Sequence, residues 1–184
     1  LLDGAAVLKG PTSSVNLLKG RGRRVTAEIT IPAEVMRTHL RVTPEAMHYG
    51  QGISTLAALL TNSSNNAAHP ANGLAALYLA TGQDVANIGE SNQCTTYNKV
   101  TRNGDYYYSV TLPSLIVATY GGGTSLSTQR ECLEIMDCYG QDKAMKFAEI
   151  AAALVVAGEL SLAAATRTDK ENRTNEWVNA HERL

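Results

Sequence analysis

Apolar and polar residues alternate along the segment Val25–Ile31, which stops at Pro32. A period of two places alternate side chains on opposite faces of an extended chain, so this pattern is typical of a half-buried strand. Residues 106–117, which follow the turn dipeptide Asn103-Gly104, are rich in aromatic and β-branched side chains. That composition predicts a second strand or a pair of strands.

Two segments carry the start and stop signals of helices. Thr43-Pro44-Glu45 offers an N-cap residue, a proline at the first helical position and an acid in the first turn. A helix should therefore begin there. A polar run, Thr61–Asn66, separates it from a second helix that has Leu74 and Tyr78 on its apolar face. This second helix is expected to end near Gly82.

The longest apolar segment, residues 144–165, approaches the length of a membrane span. It contains Lys146, Glu149 and Glu159, and charges inside such a segment argue against a transmembrane helix. Its pattern leaves no wide polar face, which predicts a core helix buried on nearly all sides, with each carboxylate held by a buried partner. The elements together predict an α+β fold, with helices and a small sheet around this long helix.

Composition narrows the possible partners. The 184 residues carry a formal net charge of -1, so the chain has no basic excess for nucleic acid or an anionic membrane, and a small-molecule substrate is expected. A single domain over residues 1–184 is expected, with a polar, mobile tail at 167–184. The three cysteines have no spacing typical of a metal site, and no secretory leader is visible, which together predict reduced cysteines and a cytoplasmic protein.

Two positions suggest chemistry from their residue types alone. Asp84 follows Thr81-Gly82-Gln83, where partial desolvation would suit acid–base catalysis, although spacing alone favours an exposed turn residue. The glycines of Gly121-Gly122-Gly123-Thr124 permit positive φ and close approach of backbone N–H groups to an anion, although a plain tight turn is the more ordinary interpretation. This segment matches neither the dinucleotide nor the P-loop pattern.

Six motifs occur in the same order as in a known family. They are Val15–Arg23, His69-Pro70-Ala71-Asn72, Thr81–Asp84, Ser109–Ser114, Thr119–Thr124 and Ala157–Leu162. Together they resemble the catalytic large domain of hydroxymethylglutaryl-CoA (HMG-CoA) reductase, the NADPH-dependent enzyme that makes mevalonate. The resemblance covers nearly the whole chain and implies the fold of that large domain and a homo-oligomer.

The resemblance assigns roles to particular residues. Asp84 matches the catalytic aspartate of the family's Gly-Gln-Asp motif, which lies in a proton network with a lysine and a glutamate. His69 and Asn72 match positions that line the substrate pocket, and with Asp84 they could form a polar pocket. Four further residues are expected to contact the substrate: Gly121, Gly122, Gly123 and Thr124.

Several family positions are replaced in this chain. The catalytic lysine falls on Gly10 by register, and Lys9 could serve only after a one-residue slip. A second, substrate-binding lysine falls near Ser54. The histidine that protonates the leaving CoA thiolate falls near Asn175, and His181 is the nearest substitute. No metal is expected.

The family's NADPH-binding small domain and its catalytic glutamate have no counterpart here, so no cofactor is expected unless a missing segment or a partner chain completes the site. Three functions follow. The favoured one is a redox-neutral enzyme that binds an acyl or polycyclic small molecule and uses Asp84. The second is a fragment or one chain of a true reductase. The third is a non-catalytic regulatory subunit.

Overall fold

The computed structural model describes residues 19–63 and 65–167 of the chain. These residues form three strands and six α-helices. In chain order they are β1 (Arg23–Ile31), α1 (Ala33–Val35), α2 (Pro44–Leu60), α3 (Pro70–Thr81), α4 (Ile88–Ser91), β2 (Thr95–Val100), β3 (Tyr106–Leu115), α5 (Ser127–Ile135) and α6 (Ala144–Arg167). A π-helical turn continues α1, and short 3-10 turns precede α4 and α5. The α+β prediction is confirmed.

The three strands form one antiparallel sheet in the order β1-β3-β2. Tyr108 in the central strand pairs with Ile29 of β1 and Asn98 of β2. Strand β1 was predicted, and residues 106–115 form a single strand rather than a pair. Strand β2 was not predicted, because Thr95–Val100 is short and mostly polar and lacks the apolar alternation that marks a half-buried strand.

Local signals set the start of α2 and the end of α3 as predicted. Thr43 caps α2, since its Oγ1 accepts a hydrogen bond from the Ala46 N–H at 3.2 Å, and Pro44 occupies the first turn. Helix α3 ends at Gly82, whose φ of 67° lies in the left-handed region. The start of α2 and the end of α3 therefore follow from residues within one turn of them.

Helix α6 packs across β1 and β3 and also contacts α2 and α3. Its buried face includes Phe147, Ala151 and Val155, all with 0% exposure. The prediction of burial on nearly all sides is wrong, because an exposed stripe runs along the helix at Met145, Glu149, Ala153, Ala157 and Ser161. Alanine is counted as apolar, but exposing its small side chain to water costs little free energy. An alanine-rich pattern therefore does not distinguish a buried helix face from an exposed one.

Glu149 lies on that exposed stripe, so the expectation that it is buried is also wrong. Within the described part of the chain, α6 is long and apolar enough to cross a membrane by length and composition. Half of this apolar segment of α6 is buried inside the protein, however. Packing against the sheet is the behaviour of a core helix.

Candidate functional site

A cavity of about 480 Å³ lies between α2, α6 and the loop that joins α2 to α3. Its lining is Gln51, Ser54, Ala57, Ala58, Thr61, Asn65, Asn66, Ala67, Ala68, Glu159, Leu162, Ala163, Thr166 and Arg167. Its wall combines small apolar side chains with polar ones. A cavity of this size and composition is typical of sites for small organic ligands, which span about 300–1,000 Å³.

Glu159 forms a buried part of the cavity wall. It is only 4% exposed, and its Oε1 accepts hydrogen bonds from the backbone N–H groups of Ala68, at 2.8 Å, and His69. The sequence predicted that a buried carboxylate here needs a partner, and two backbone donors supply it. These bonds fix the loop after α2 to the middle of α6.

An amide network holds the same loop to the sheet. Gln51 donates through Nε2 to Thr96 Oγ1 at 2.8 Å and to the carbonyl of Asn66 at 3.2 Å. Asn66 in turn accepts from the Thr96 N–H at 2.9 Å and donates to the Thr96 carbonyl at 3.3 Å. Because these groups form a closed network, the cavity wall formed by the loop is held in place before any ligand binds.

Arg167 also lines this cavity. Its Nη2 donates to Ser54 Oγ at 3.3 Å and its Nη1 donates to the Ala163 carbonyl at 3.1 Å. Arg167 was not predicted as a site residue, because no motif surrounds it and its partner Ser54 lies 113 residues away in the chain.

A second cavity, of about 230 Å³, brings together two segments that the sequence singled out separately. Asp84 lines it together with the glycine turn Gly121–Thr124. The two segments meet because Gly82 and Gly123 touch through their backbones; a Cβ added to Gly82 would lie 2.3 Å from the Gly123 carbonyl oxygen. Gly121 and Gly122 have φ values of 82° and 57°, as the glycine run predicted.

Gln83 strengthens this arrangement. Its Oε1 accepts from the Ala118 N–H at 2.7 Å and its Nε2 donates to the Ala118 carbonyl at 2.8 Å. Asp84 accepts a hydrogen bond from the Ala86 N–H at 3.1 Å and caps the short 3-10 turn that follows. Asp84 is exposed within the part of the chain that the structure describes. It is therefore the exposed turn residue that spacing favoured, and the expected partial desolvation is not seen. Its catalytic role stays a prediction.

The structure does not bring His69 and Asn72 into one pocket with Asp84. His69 precedes α3 and Asp84 follows it, and a helix of 12 residues separates them by about 18 Å. The His69 ring packs against α6, where a Cβ on Gly158 would lie 2.0 Å from its Nδ1, and Asn72 is exposed. Neither residue lines either of these two cavities.

Lys9 and His181, proposed as catalytic residues, lie outside the described residues, as do Gly10 and Asn175. Within residues 19–63 and 65–167, no group of three His, Cys, Asp or Glu side chains could hold a metal ion. The cysteines Cys94, Cys132 and Cys138 are free thiols. Burial raises the pKa of Cys94, and the nearby Glu159 carboxylate raises it further, so this thiol is a packing residue rather than a nucleophile.

Comparison with known proteins settles the family. The family model of hydroxymethylglutaryl-coenzyme A reductase matches residues 2–184. The chain belongs to the HMG-CoA reductase family. This match confirms the resemblance drawn from the six motifs, including those on β3 and α6.

Curated HMG-CoA reductases from archaea and animals are similar to this chain. The 3-hydroxy-3-methylglutaryl-coenzyme A reductase of Methanocaldococcus jannaschii is 41% identical over 162 residues, covering 88% of this chain and 40% of the relative. That of Methanothermobacter thermautotrophicus is 44% identical over 82% of this chain and 38% of the relative. The Drosophila melanogaster reductase is 39% identical over 83% of this chain and 18% of the relative. The chain thus spans about two fifths of the archaeal relatives.

The NADPH that the HMG-CoA reductase family implies does not fit either cavity. The smaller one, at about 230 Å³, lies below the roughly 300–1,000 Å³ usual for a small-molecule site. Asp84 adds a negative charge beside it, and none of its described lining residues is a lysine or arginine. The larger cavity has one cation, Arg167, among its described lining residues, whereas a dinucleotide phosphate group needs several donors or cations.

Proposed function

We propose that this chain binds the acyl-coenzyme A substrate of an HMG-CoA reductase and that reduction takes place in a larger enzyme of which it is a part. The observation that carries the proposal is the contact between two family motifs at the larger cavity. Glu159, in the Ala157–Leu162 motif, holds the backbone of His69, in the His69–Asn72 motif. Glu159 and Leu162, both in the Ala157–Leu162 motif, therefore line the cavity, and His69 lies directly beside its wall residue Ala68.

The cavity has the chemistry that an acyl group needs. Alanines and Leu162 offer an apolar surface for a methyl-bearing carbon chain. Gln51, Glu159 and Arg167 supply hydrogen-bonding groups at its edges. Such a mixture binds the apolar body by burial and fixes its orientation through a few polar contacts.

Filling the cavity tests this proposal. Ala58 is half-buried and lines the cavity, so Ala58→Phe is expected to weaken HMG-CoA binding by at least about tenfold, because a ring occupies the space of the acyl group. Isothermal titration calorimetry with HMG-CoA measures the effect. Ala153→Phe, on the exposed stripe of α6, is the matched control and should leave the affinity unchanged. Equal affinities in both variants would contradict the placement of the substrate.

A second candidate is a redox-neutral enzyme that acts on an acyl or polycyclic small molecule. Two observations favour it. Ser54 stands near the position of the family's substrate-binding lysine and lines the cavity, and Asp84 places a carboxylate at the smaller cavity. In this case the chain keeps a substrate pocket but not hydride transfer.

Asp84 matches the family's catalytic aspartate although it lies outside the larger cavity. That match implies an acid–base role, so Asp84→Asn should lower turnover about a hundredfold while leaving the unfolding temperature unchanged. The amide oxygen of asparagine can still accept from the Ala86 N–H, which preserves the cap. Steady-state assays of the full-length protein, with and without NADPH, separate the two functions. The control is Asp137→Asn, which removes an exposed carboxylate on the surface. Full activity in Asp84→Asn would rule out the role of Asp84.

A further inference from the structure

Arg167 carries a positive charge into the larger cavity. Its two hydrogen bonds, to Ser54 Oγ at 3.3 Å and to the Ala163 carbonyl at 3.1 Å, are both to neutral oxygens. A guanidinium has five N–H donors, so these contacts hold the group in position and leave donors for a further partner.

Charge is sparse elsewhere in the cavity. Among the described residues that line it, Arg167 is the only cation and Glu159 the only anion. Glu159 lies two helical turns before Arg167, at a spacing of about 12 Å along the axis of α6. Its Oε1 already accepts two backbone N–H groups. The two charged groups therefore lie apart along α6 rather than pairing with each other.

Gly50 makes room for this arginine. A Cβ added at Gly50 would lie 1.8 Å from Arg167 Nε and 2.6 Å from its Cδ. A glycine inside a helix destabilises it relative to alanine. Because Gly50 has no side chain, the Arg167 side chain can lie against the backbone of α2. Residues of both α2 and α6 therefore fix the position of the guanidinium.

We propose that Arg167 binds the carboxylate of a small ligand in this cavity, with the apolar part of the ligand against Ala58 and Leu162. This inference rests on the proposed function, in which the ligand is an acyl-coenzyme A with a free carboxylate at the far end of its acyl group. Arg167 is then the residue that selects acyl groups with such a carboxylate over neutral ones.

A carboxylate fits this end of the cavity better than a phosphate. The planar guanidinium matches the two oxygens of a carboxylate in a pair of parallel hydrogen bonds. One cation balances one negative charge, whereas a phosphate carries up to about two and is usually held by several cations or backbone donors. The apolar wall beside Arg167 also suits a short carbon chain.

The test compares Arg167→Gln, Arg167→Lys and the surface control Arg37→Gln in the full-length protein. The probes are 3-hydroxy-3-methylglutarate, its neutral diamide and free coenzyme A, each titrated by calorimetry. Arg167→Gln is expected to weaken 3-hydroxy-3-methylglutarate binding by at least about tenfold, since a charged hydrogen bond is lost, and Arg167→Lys should restore part of it. The protein without substitutions should bind the diamide weakly, and none of the three substitutions should change that affinity. Unfolding temperatures show whether each variant is folded.

The outcomes separate this inference from the proposed function. Unchanged 3-hydroxy-3-methylglutarate affinity in a folded Arg167→Gln variant, with HMG-CoA still bound, overturns the role of Arg167 alone. A loss of coenzyme A binding instead of carboxylate binding in that variant also overturns it, because the anion would then be a phosphate. Loss of carboxylate binding in a protein that does not act on HMG-CoA supports the role of Arg167 and contradicts the proposed function. No binding of any probe overturns both.

Discussion

Replacing Gly82 with alanine is expected to destabilise the protein by about 4 kcal/mol. Gly82 has a φ of 67°, and an L-residue in that conformation loses about 1 kcal/mol. Its new Cβ would also lie 2.3 Å from the oxygen and 2.5 Å from the carbon of the Gly123 carbonyl. These are backbone atoms that no rotamer change can move aside, so the glycine turn must shift, which adds about 3 kcal/mol.

Gly104 provides the matched control for this prediction. Its φ is 84°, but a Cβ there would meet nothing within 4 Å. Gly104→Ala should therefore destabilise the protein by only about 1 kcal/mol, the conformational part of the effect. Urea unfolding followed by circular dichroism measures both. Equal losses would show that the contact between Gly82 and Gly123 does not hold the smaller cavity together.

Replacing Glu159 with leucine is expected to destabilise the protein by about 4 kcal/mol. The substitution removes the acceptor for the N–H groups of Ala68 and His69, and hydrogen bonds to a charged group contribute about 1.5–3 kcal/mol each. The partly buried loop then has two donors without an acceptor. Since the loop forms a wall of the larger cavity, ligand binding should be lost as well.

Glu159→Gln separates the hydrogen bonds from the charge. Its amide oxygen can still accept from both backbone donors, so a loss of about 1 kcal/mol is expected. Hydrogen exchange gives a second readout, since the amides of Ala68 and His69 should exchange faster in Glu159→Leu and stay protected in Glu159→Gln. Equal loss of stability and protection in both variants would contradict the role of the Oε1 atom.

The parts of the fold that depend on neighbouring residues could be predicted from the sequence. Thr43-Pro44-Glu45 starts α2 and Gly82 ends α3 because capping needs only residues within one turn. Strand β2 could not be predicted in this way, since Thr95–Val100 becomes a strand only by pairing with β3. The exposed stripe of α6 was missed because its alanines fit either a covered or an open surface.

The candidate sites depend on contacts between distant parts of the chain. Asp84 and Gly121–Thr124 were each noted from their residue types, but their meeting depends on the backbone contact between Gly82 and Gly123. No local sequence signal marks Arg167, and Ser54 was noted only because the family's substrate-binding lysine falls near it. Family resemblance placed His69 and Asp84 in one pocket, whereas the length of α3 keeps them apart.

Thermal unfolding of the purified protein, with HMG-CoA, free coenzyme A and NADPH added separately, tests the central claim most directly. A ligand at about 100 times its Kd stabilises a folded protein by about 2.7 kcal/mol. We expect HMG-CoA to raise the unfolding temperature by several degrees, and more than free coenzyme A does, because the acyl group occupies the larger cavity. An unfolding temperature that HMG-CoA leaves unchanged, or raises no more than free coenzyme A does, would contradict the claim that this chain binds the acyl group.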